Sequence, residues 1–303
     1  MIRTKTGVAT LSVASNSLLI ALKIAAGAIT GSIAIITEAA HSSIDLLASV
    51  IALVSVRKAD EPPDPEHPYG HEKVENLAAA IEGMLIVVGA AIIVYAATRR
   101  LVVGAEVEHL GVGIVVIAVS TVVNFGISGY LGRRAREFGS AALTGDAAHL
   151  RADALTSLGV LAGLILVQIT GDAVFDPIAA LAVAGAIVFA GVRILTGSSR
   201  VLVDEAPPPE ELDRIEAAIA GARPPEMVGY HKLRARRAGT RRYVDLHVQF
   251  RSGTTLEDAH ALAHRLRSAI EAEIPGSEVL IHVEPQGAVR DPAARDTAPY
   301  RAG

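Results

Sequence analysis

The first two hundred residues hold six apolar stretches, near 8–29, 32–56, 74–98, 110–131, 142–169 and 176–197. Each is close to the ~20 residues that a helix needs to cross a bilayer. Backbone in hydrocarbon has no water to bond to, so runs of this length select transmembrane helices. The first run is long enough to span and shows no cleavage site, so no separate signal peptide is expected. Arg3, Lys5, Arg57, Lys58, Lys73, Arg133, Arg134 and Arg136 fall on one side of this six-span path, against Arg99 and Arg100 on the other. The bias predicts both termini in the cytoplasm; the expected location of this multi-pass protein is the inner (plasma) membrane. With 51% hydrophobic residues, the expectation is a membrane protein with a smaller soluble part. Tryptophan is absent and aromatics make up 4%, so an interfacial belt is weak.

Against that apolar background two ionisable pairs stand out. The segment Ala39-Ala40-His41-Ser42-Ser43-Ile44-Asp45 recurs as Ala147-Ala148-His149-Leu150-Arg151-Ala152-Asp153, and the match continues through Leu47/Leu155, Ser49/Ser157 and Leu53/Leu161. On a helix, residues four apart are neighbours on one face, so each His sits one turn from its Asp. His41 lies roughly nine residues, ~13 Å, into the second span from outside, and His149 lies at a similar depth into the fifth from inside. Both pairs therefore meet near the midplane of a core ~30 Å thick. Ionisable groups at that depth cost on the order of 3 kcal/mol or more, and they mark ion or proton routes.

No cysteine is present, which excludes disulfides, thiolate metal sites and cysteine nucleophiles and leaves His, Asp and Glu for metal chemistry. Two imidazoles and two carboxylates make a set suited to Zn²⁺, and the two Asp charges offset the ion's charge. Histidine must be neutral to bind metal, so metal entry expels protons and protons expel metal. That competition is a sufficient basis for exchanging metal against H⁺. The net charge of -4 argues against a nucleic-acid partner.

Outside the spans, the segment 64–71 places Asp64, His67 and His71 in a short loop stiffened by Pro62, Pro63, Pro65 and Pro68. A loop site there would deliver metal or regulate occupancy. After Pro207-Pro208-Pro209 the composition becomes that of a soluble domain. Helices are predicted over 210–222 and 256–273, and strands over 227–237, 241–251 and 277–284, with Ala238-Gly239 as the turn and Thr254 or Thr255 as a cap. The order αββαβ predicts a small α+β sandwich with helices on one face of the sheet. The expected domains are 1–204 (membrane), 205–287 (cytoplasmic) and a disordered tail, 288–303. Five of the ten histidines, His231, His247, His260, His264 and His282, fall in the soluble part. His282 and Glu284, two apart on a strand, share a face; His264 is read as surface. Lys23 is read as snorkelling or pairing locally, Glu82 as facing the bundle, and Asn16, Asn124 and Asp176 as bonding between helices or capping them.

These residues resemble the cation diffusion facilitator family, bacterial zinc and ferrous-iron efflux transporters, over nearly the whole chain, 5–285. The resemblance implies six transmembrane helices plus a metallochaperone-like cytoplasmic domain, and a homodimer in membrane lipid that exchanges Zn²⁺ for H⁺. It implies a transport site of His41, Asp45, His149 and Asp153 and a loop site of Asp64, His67 and His71. It also implies a binuclear cytoplasmic site of His231, His247, His260, His282 and Glu284 that helps hold the dimer. Glu284 stands where the family's pattern usually has Asp, and His41 matches its zinc-selective form, since imidazole in place of a hard oxygen favours zinc. The expected substrate is Zn²⁺, with Cd²⁺, Co²⁺, Ni²⁺ or Fe²⁺ as alternatives, and a non-transporting membrane metal sensor or scaffold as the other reading. No enzyme is expected: HExxH is lacking, and four protein ligands leave no open position for water.

Overall fold

In a computed structural model, the structure describes residues 4–30, 33–103, 111–172 and 174–287; within its helices, the side chains at 30, 33–38, 40, 41, 44, 103, 111–117 and 164 lie outside the described set. The expected tail, 288–303, also lies outside the described residues. The chain forms two compact units, Met1–Ser199 and Arg200–Gly303.

The first unit contains the helices α1 (Lys5–Thr30), α2 (Ile33–Ala59), α3 (Lys73–Val103), α4 (Gly111–Phe138) and α5 (Ala141–Thr170), and nearly all of α6 (Phe175–Leu202). Among the described residues α1, α3, α5 and α6 are long and apolar enough to cross a membrane. α2 and α4 have comparable lengths, 27 and 28 residues. Tyr95, Val122, Ile169 and Phe189 point outward and exposed, as a lipid-facing surface requires. Most helices run past the stretches read from hydropathy, which senses only the apolar thickness. The added turns carry charge, as in α4, where Arg134 pairs with Glu137 one turn on.

Alternating direction shows in which helix ends meet. Lys5, at the start of α1, reaches Glu75 in the first turn of α3 (3.2 Å) and Asp60 just beyond α2 (3.6 Å). Glu75 in turn accepts a hydrogen bond from Ser140, the N-cap of α5, whose hydroxyl accepts from the Leu143 amide. At the opposite end, Arg100 of α3 pairs with Asp176 of α6 (2.9 Å). Near the first end, one apolar cluster joins five helices, with Val8 (α1), Val56 (α2), Ala78 (α3), Leu131 (α4) and Leu143 (α5) among its members. α3 and α6 approach through glycines. A Cβ on Gly83 would stand 2.8 Å from the Leu195 amide nitrogen, and one on Gly191 would stand 2.9 Å from side chains of Ile86 and Val87. Small residues permit this contact between backbones.

The second unit contains α7 (Pro209–Gly221), β1 (Met227–Ala238), β2 (Arg241–Phe250), α8 (Leu256–Glu273) and β3 (Ser277–Pro285), in the order αββαβ. β1 pairs antiparallel and β3 parallel with the central β2, so α8 is the crossover between parallel strands. The β1–β2 turn is Gly239-Thr240 rather than Ala238-Gly239, with Gly239 at a positive φ that glycine adopts freely. Thr255 is the cap of α8; its hydroxyl accepts from the Asp258 amide at 3.1 Å. Leu212, Ile215 and Ile219 of α7 and Leu262, Leu266 and Ile270 of α8 form one core with Val244, Leu246 and Val248 of β2. Alternation then turns Asp245, His247 and Gln249 to the other face of the sheet.

Candidate metal centres

Within the membrane unit, α2 and α5 bring Asp45, His149 and Asp153 together. His149 Nε2 lies 3.3 Å from Asp45 Oδ1 and 3.8 Å from Asp153 Oδ2, and one ligand atom from each residue lies within 4.8 Å of the others. Asp45 and His149 are buried. The side chain of His41, expected as the fourth ligand, lies outside the described residues. The trio borders a cavity of about 480 Å³, which also meets Asn16, Lys23, Ser42 and Asn124. Lys23 does not snorkel: it is buried and donates to Ser42 on α2 at 2.6 Å. A tetrahedral ion with bonds of ~2.0 Å has ligand-to-ligand edges of ~3.3 Å; the His149–Asp45 separation equals that edge and the His149–Asp153 separation exceeds it.

Between α2 and α3, Asp64 organises its own loop. Its carboxylate accepts from the backbone amides of Glu66 (3.0 Å) and His67 (2.6 Å) and lies 3.2 Å from His67 Nδ1. The His67 amide bond, with help from the His67 and His71 rings, holds the Asp64 carboxyl below its ordinary value. His71 Nε2 lies 3.2 Å from the other Asp64 oxygen, and the two imidazole centroids are 4.6 Å apart. His71 is buried, and neither ring nitrogen has an aligned hydrogen-bond partner among the described residues. A buried imidazole held against a carboxylate in this way has donor atoms free for a cation.

The cytoplasmic cluster is built by strand register. His231 on β1 pairs with His247 on β2, and His247 pairs with His282 on β3, so three imidazoles form a row across the sheet. A register shift follows His231, with Lys232 at φ 52°. Without that bulge His231 and the core residue Leu233 would share a face; with it, His231 joins the row while Leu233 stays in the core. Glu284, two residues beyond His282, bridges the row: Oε2 lies 2.8 Å from His231 Nε2, and Oε1 lies 2.6 Å from His247 Nδ1 and 3.6 Å from His282 Nε2. Burial raises the Glu284 pKa, but the hydrogen bonds and charges of His231 and His247 outweigh it and leave the carboxyl below its ordinary value. The longer Glu thus reaches two histidines. His260 is not brought to this cluster within the chain: it is exposed on α8, its ring 4.5 Å from that of His264. His264 is likewise exposed, as its reading as surface expects, and its spacing of four from His260 on a helix accounts for the ring contact.

Sequence reasoning also missed Asp146, which is fully buried and accepts from Ser49 at 2.8 Å. The repeat carried its signal, since Glu38 precedes Ala39-Ala40-His41 as Asp146 precedes Ala147-Ala148-His149.

Residues 9–203 match the cation efflux transmembrane domain, and residues 207–286 match the cation efflux protein, cytoplasmic domain. An uncharacterized transporter of Synechocystis is 32% identical over 277 residues, 91% of this chain and 89% of the relative. The cation-efflux pump FieF of Klebsiella pneumoniae is 31% identical over 282 residues, 93% and 92% of the two chains. The metal-bound C-terminal domain of the CzcD transporter from Thermotoga maritima is 31% identical, with a TM-score of 0.25, over 26% of this chain and 92% of that one. Carrying both domains of the family in order, and similar to its members along almost its full length, this chain belongs to the cation diffusion facilitator family of metal efflux transporters.

Proposed function

We propose that this protein exports Zn²⁺ from the cytoplasm in exchange for protons, as a homodimer working by alternating access in the inner membrane with both termini cytoplasmic. The observation that carries the reading is the meeting of Asp45, His149 and Asp153 beside a cavity in the membrane unit. In that reading His41 completes the set. The same donor atoms accept metal or protons, and two carboxylates neutralise a divalent ion in low dielectric, so each occupant displaces the other. A site loaded from one face and emptied to the other then exchanges them.

The cytoplasmic row, with Glu284 as its bridging carboxylate, is proposed to hold metal structurally and to favour the dimer. His260, out of reach on its own chain, would join from the partner. The loop residues Asp64, His67 and His71 are proposed to hand metal to the transport site or to set its occupancy.

The test uses purified full-length protein in liposomes. An imposed pH gradient is expected to drive Zn²⁺ movement, and Asp153→Ala is expected to abolish it while the protein remains folded. Normal transport by that variant would refute the pocket. A wild-type protein that binds metal in its cytoplasmic unit and moves none would instead favour a membrane metal sensor.

A further inference from the structure

Glu82 sits inside the membrane unit, nine residues after the start of α3, and is wholly buried. Neither carboxylate oxygen has a hydrogen-bond partner among the described residues. Its Oε2 occupies the space where a Cβ on Gly145 of α5 would stand, with the Ala79 backbone beside it, so the absence of a side chain at 145 makes room for the carboxyl. The next residue on α5 is Asp146, also wholly buried, with Oδ2 unpartnered. Glu82 thus lies against the residue that precedes Asp146, and both carboxyl groups are in the interior of the membrane unit.

An unpartnered carboxyl group in such an interior is costly to ionise, which makes Glu82 with Asp146 a candidate holder of a proton. Among the described residues, neither carboxyl group forms an ion pair with a lysine or arginine. α6 packs on the neighbouring Gly83 with Gly191 and Leu195, and its Arg193 is exposed. α1 and α2 contribute Ser12, Asn16 and Ser49. The nearest titratable group along α5 is His149, one turn beyond Asp146 on the same face.

The pair is also wired to the transport cavity. Asn16, which borders that cavity, donates to Ser49 Oγ at 2.8 Å; Ser49 donates to Asp146 Oδ1 at 2.8 Å, and Ser12 lies 3.0 Å from the same hydroxyl. The pair lies toward the helix ends that gather Lys5, Glu75 and Ser140, between that end and His149. Under the topology proposed above, this is the cytoplasmic side.

We propose that Glu82 and Asp146 form a proton-binding site separate from the metal ligands, whose proton leaves when a cation occupies the transport site and returns when the cation departs. The proposal rests on the metal/proton exchange reading and names a carrier for one of the exchanged protons. A divalent cation at His149 places two positive charges about one helical turn from Asp146. Its field stabilises the ionised pair, and the released proton leaves for the water on the cytoplasmic side. No bond other than O–H is broken or formed.

The experiment counts protons released when Zn²⁺ is titrated into full-length protein in weak buffer, in four chains: wild type, Glu82→Gln, Asp153→Ala and the double variant. Gln copies the shape of the protonated acid but cannot release its proton. Glu82→Gln is expected to lower the count by up to one proton per cation relative to wild type, and to change nothing in the Asp153→Ala background. An unchanged count in Glu82→Gln, or an equal fall in both backgrounds, overturns the proposal. Equal counts for wild type and Asp153→Ala would instead sink the exchange reading itself. If Glu82→Gln does not assemble, Asp146→Asn, which keeps an acceptor for Ser49, is judged by the same comparisons.

Discussion

At the scale of single residues, what a metal site selects depends on how many borderline nitrogens it offers among hard oxygens. Asp45 and Asp153 supply oxygen and His149 supplies nitrogen at the spacing described. The fourth donor therefore tips the balance, and in the proposed set it is His41. Replacing it by Asp exchanges borderline imidazole for a hard carboxylate, which favours manganese and ferrous iron at the expense of zinc. His41→Asp is expected to weaken Zn²⁺ relative to Mn²⁺ on the order of tenfold, ~1.4 kcal/mol, in competition uptake by liposomes. An unchanged ratio would remove His41 from the set. Asp45, His149 and Asp153, which the structure brings together, were legible because the HxxxD pattern repeats. For Asp146 the repeat signalled the residue but not its surroundings, because its polar neighbours Ser12, Asn16 and Ser49 lie on other helices. Glu82 was legible as buried, but not its lack of a partner, which depends on what α5 brings opposite.

At the scale of elements, amphipathic periodicity gave the αββαβ order and hydropathy gave the six helices. Neither signal reports where a helix stops once it has left the apolar layer, nor which strand takes the centre of a sheet. The joints between elements are side-chain events. Glu211, in the first turn of α7, receives Arg237 of β1 at 2.5 Å and Arg242 of β2 at 3.2 Å, fastening the helix to the strand ends. Burial pushes the Glu211 carboxyl up, but Arg237 and Arg242 outweigh it and hold it below its ordinary 4.5. A carboxyl depressed in the folded state contributes stability that is complete above the unfolded value and is lost as pH falls through the folded one. Glu211→Gln is therefore expected to cost about 1 kcal/mol at neutral pH. The gap to wild type should narrow as pH drops below 4.5. Chemical unfolding of the metal-stripped full-length chain, followed at successive pH values, measures it; a gap independent of pH would deny the ionic joint.

At the scale of the whole molecule, the membrane unit and the cytoplasmic unit each contain their own apolar core, the first with two candidate metal clusters and the second with one. The clusters share no residue, so losses of bound metal should add when both are altered. His231→Ala with His282→Ala removes two of the imidazoles that surround Glu284 and should lower the metal retained per chain. Asp153→Ala should remove metal from the membrane unit alone, and the combined variant should lose both amounts. The consequences for assembly should differ. A ligand that binds the associated form shifts the monomer–dimer balance by mass action, so losing the cytoplasmic metal should make the dimer dissociate at higher protein concentration. Asp153→Ala should leave that concentration where it is in wild type. Elemental analysis paired with light scattering over a dilution series reads both quantities from the same samples. A cytoplasmic double variant that loses metal yet dilutes like wild type would show that the row of histidines stores or senses metal without holding two chains together. One that keeps its metal would show that the row is not a site.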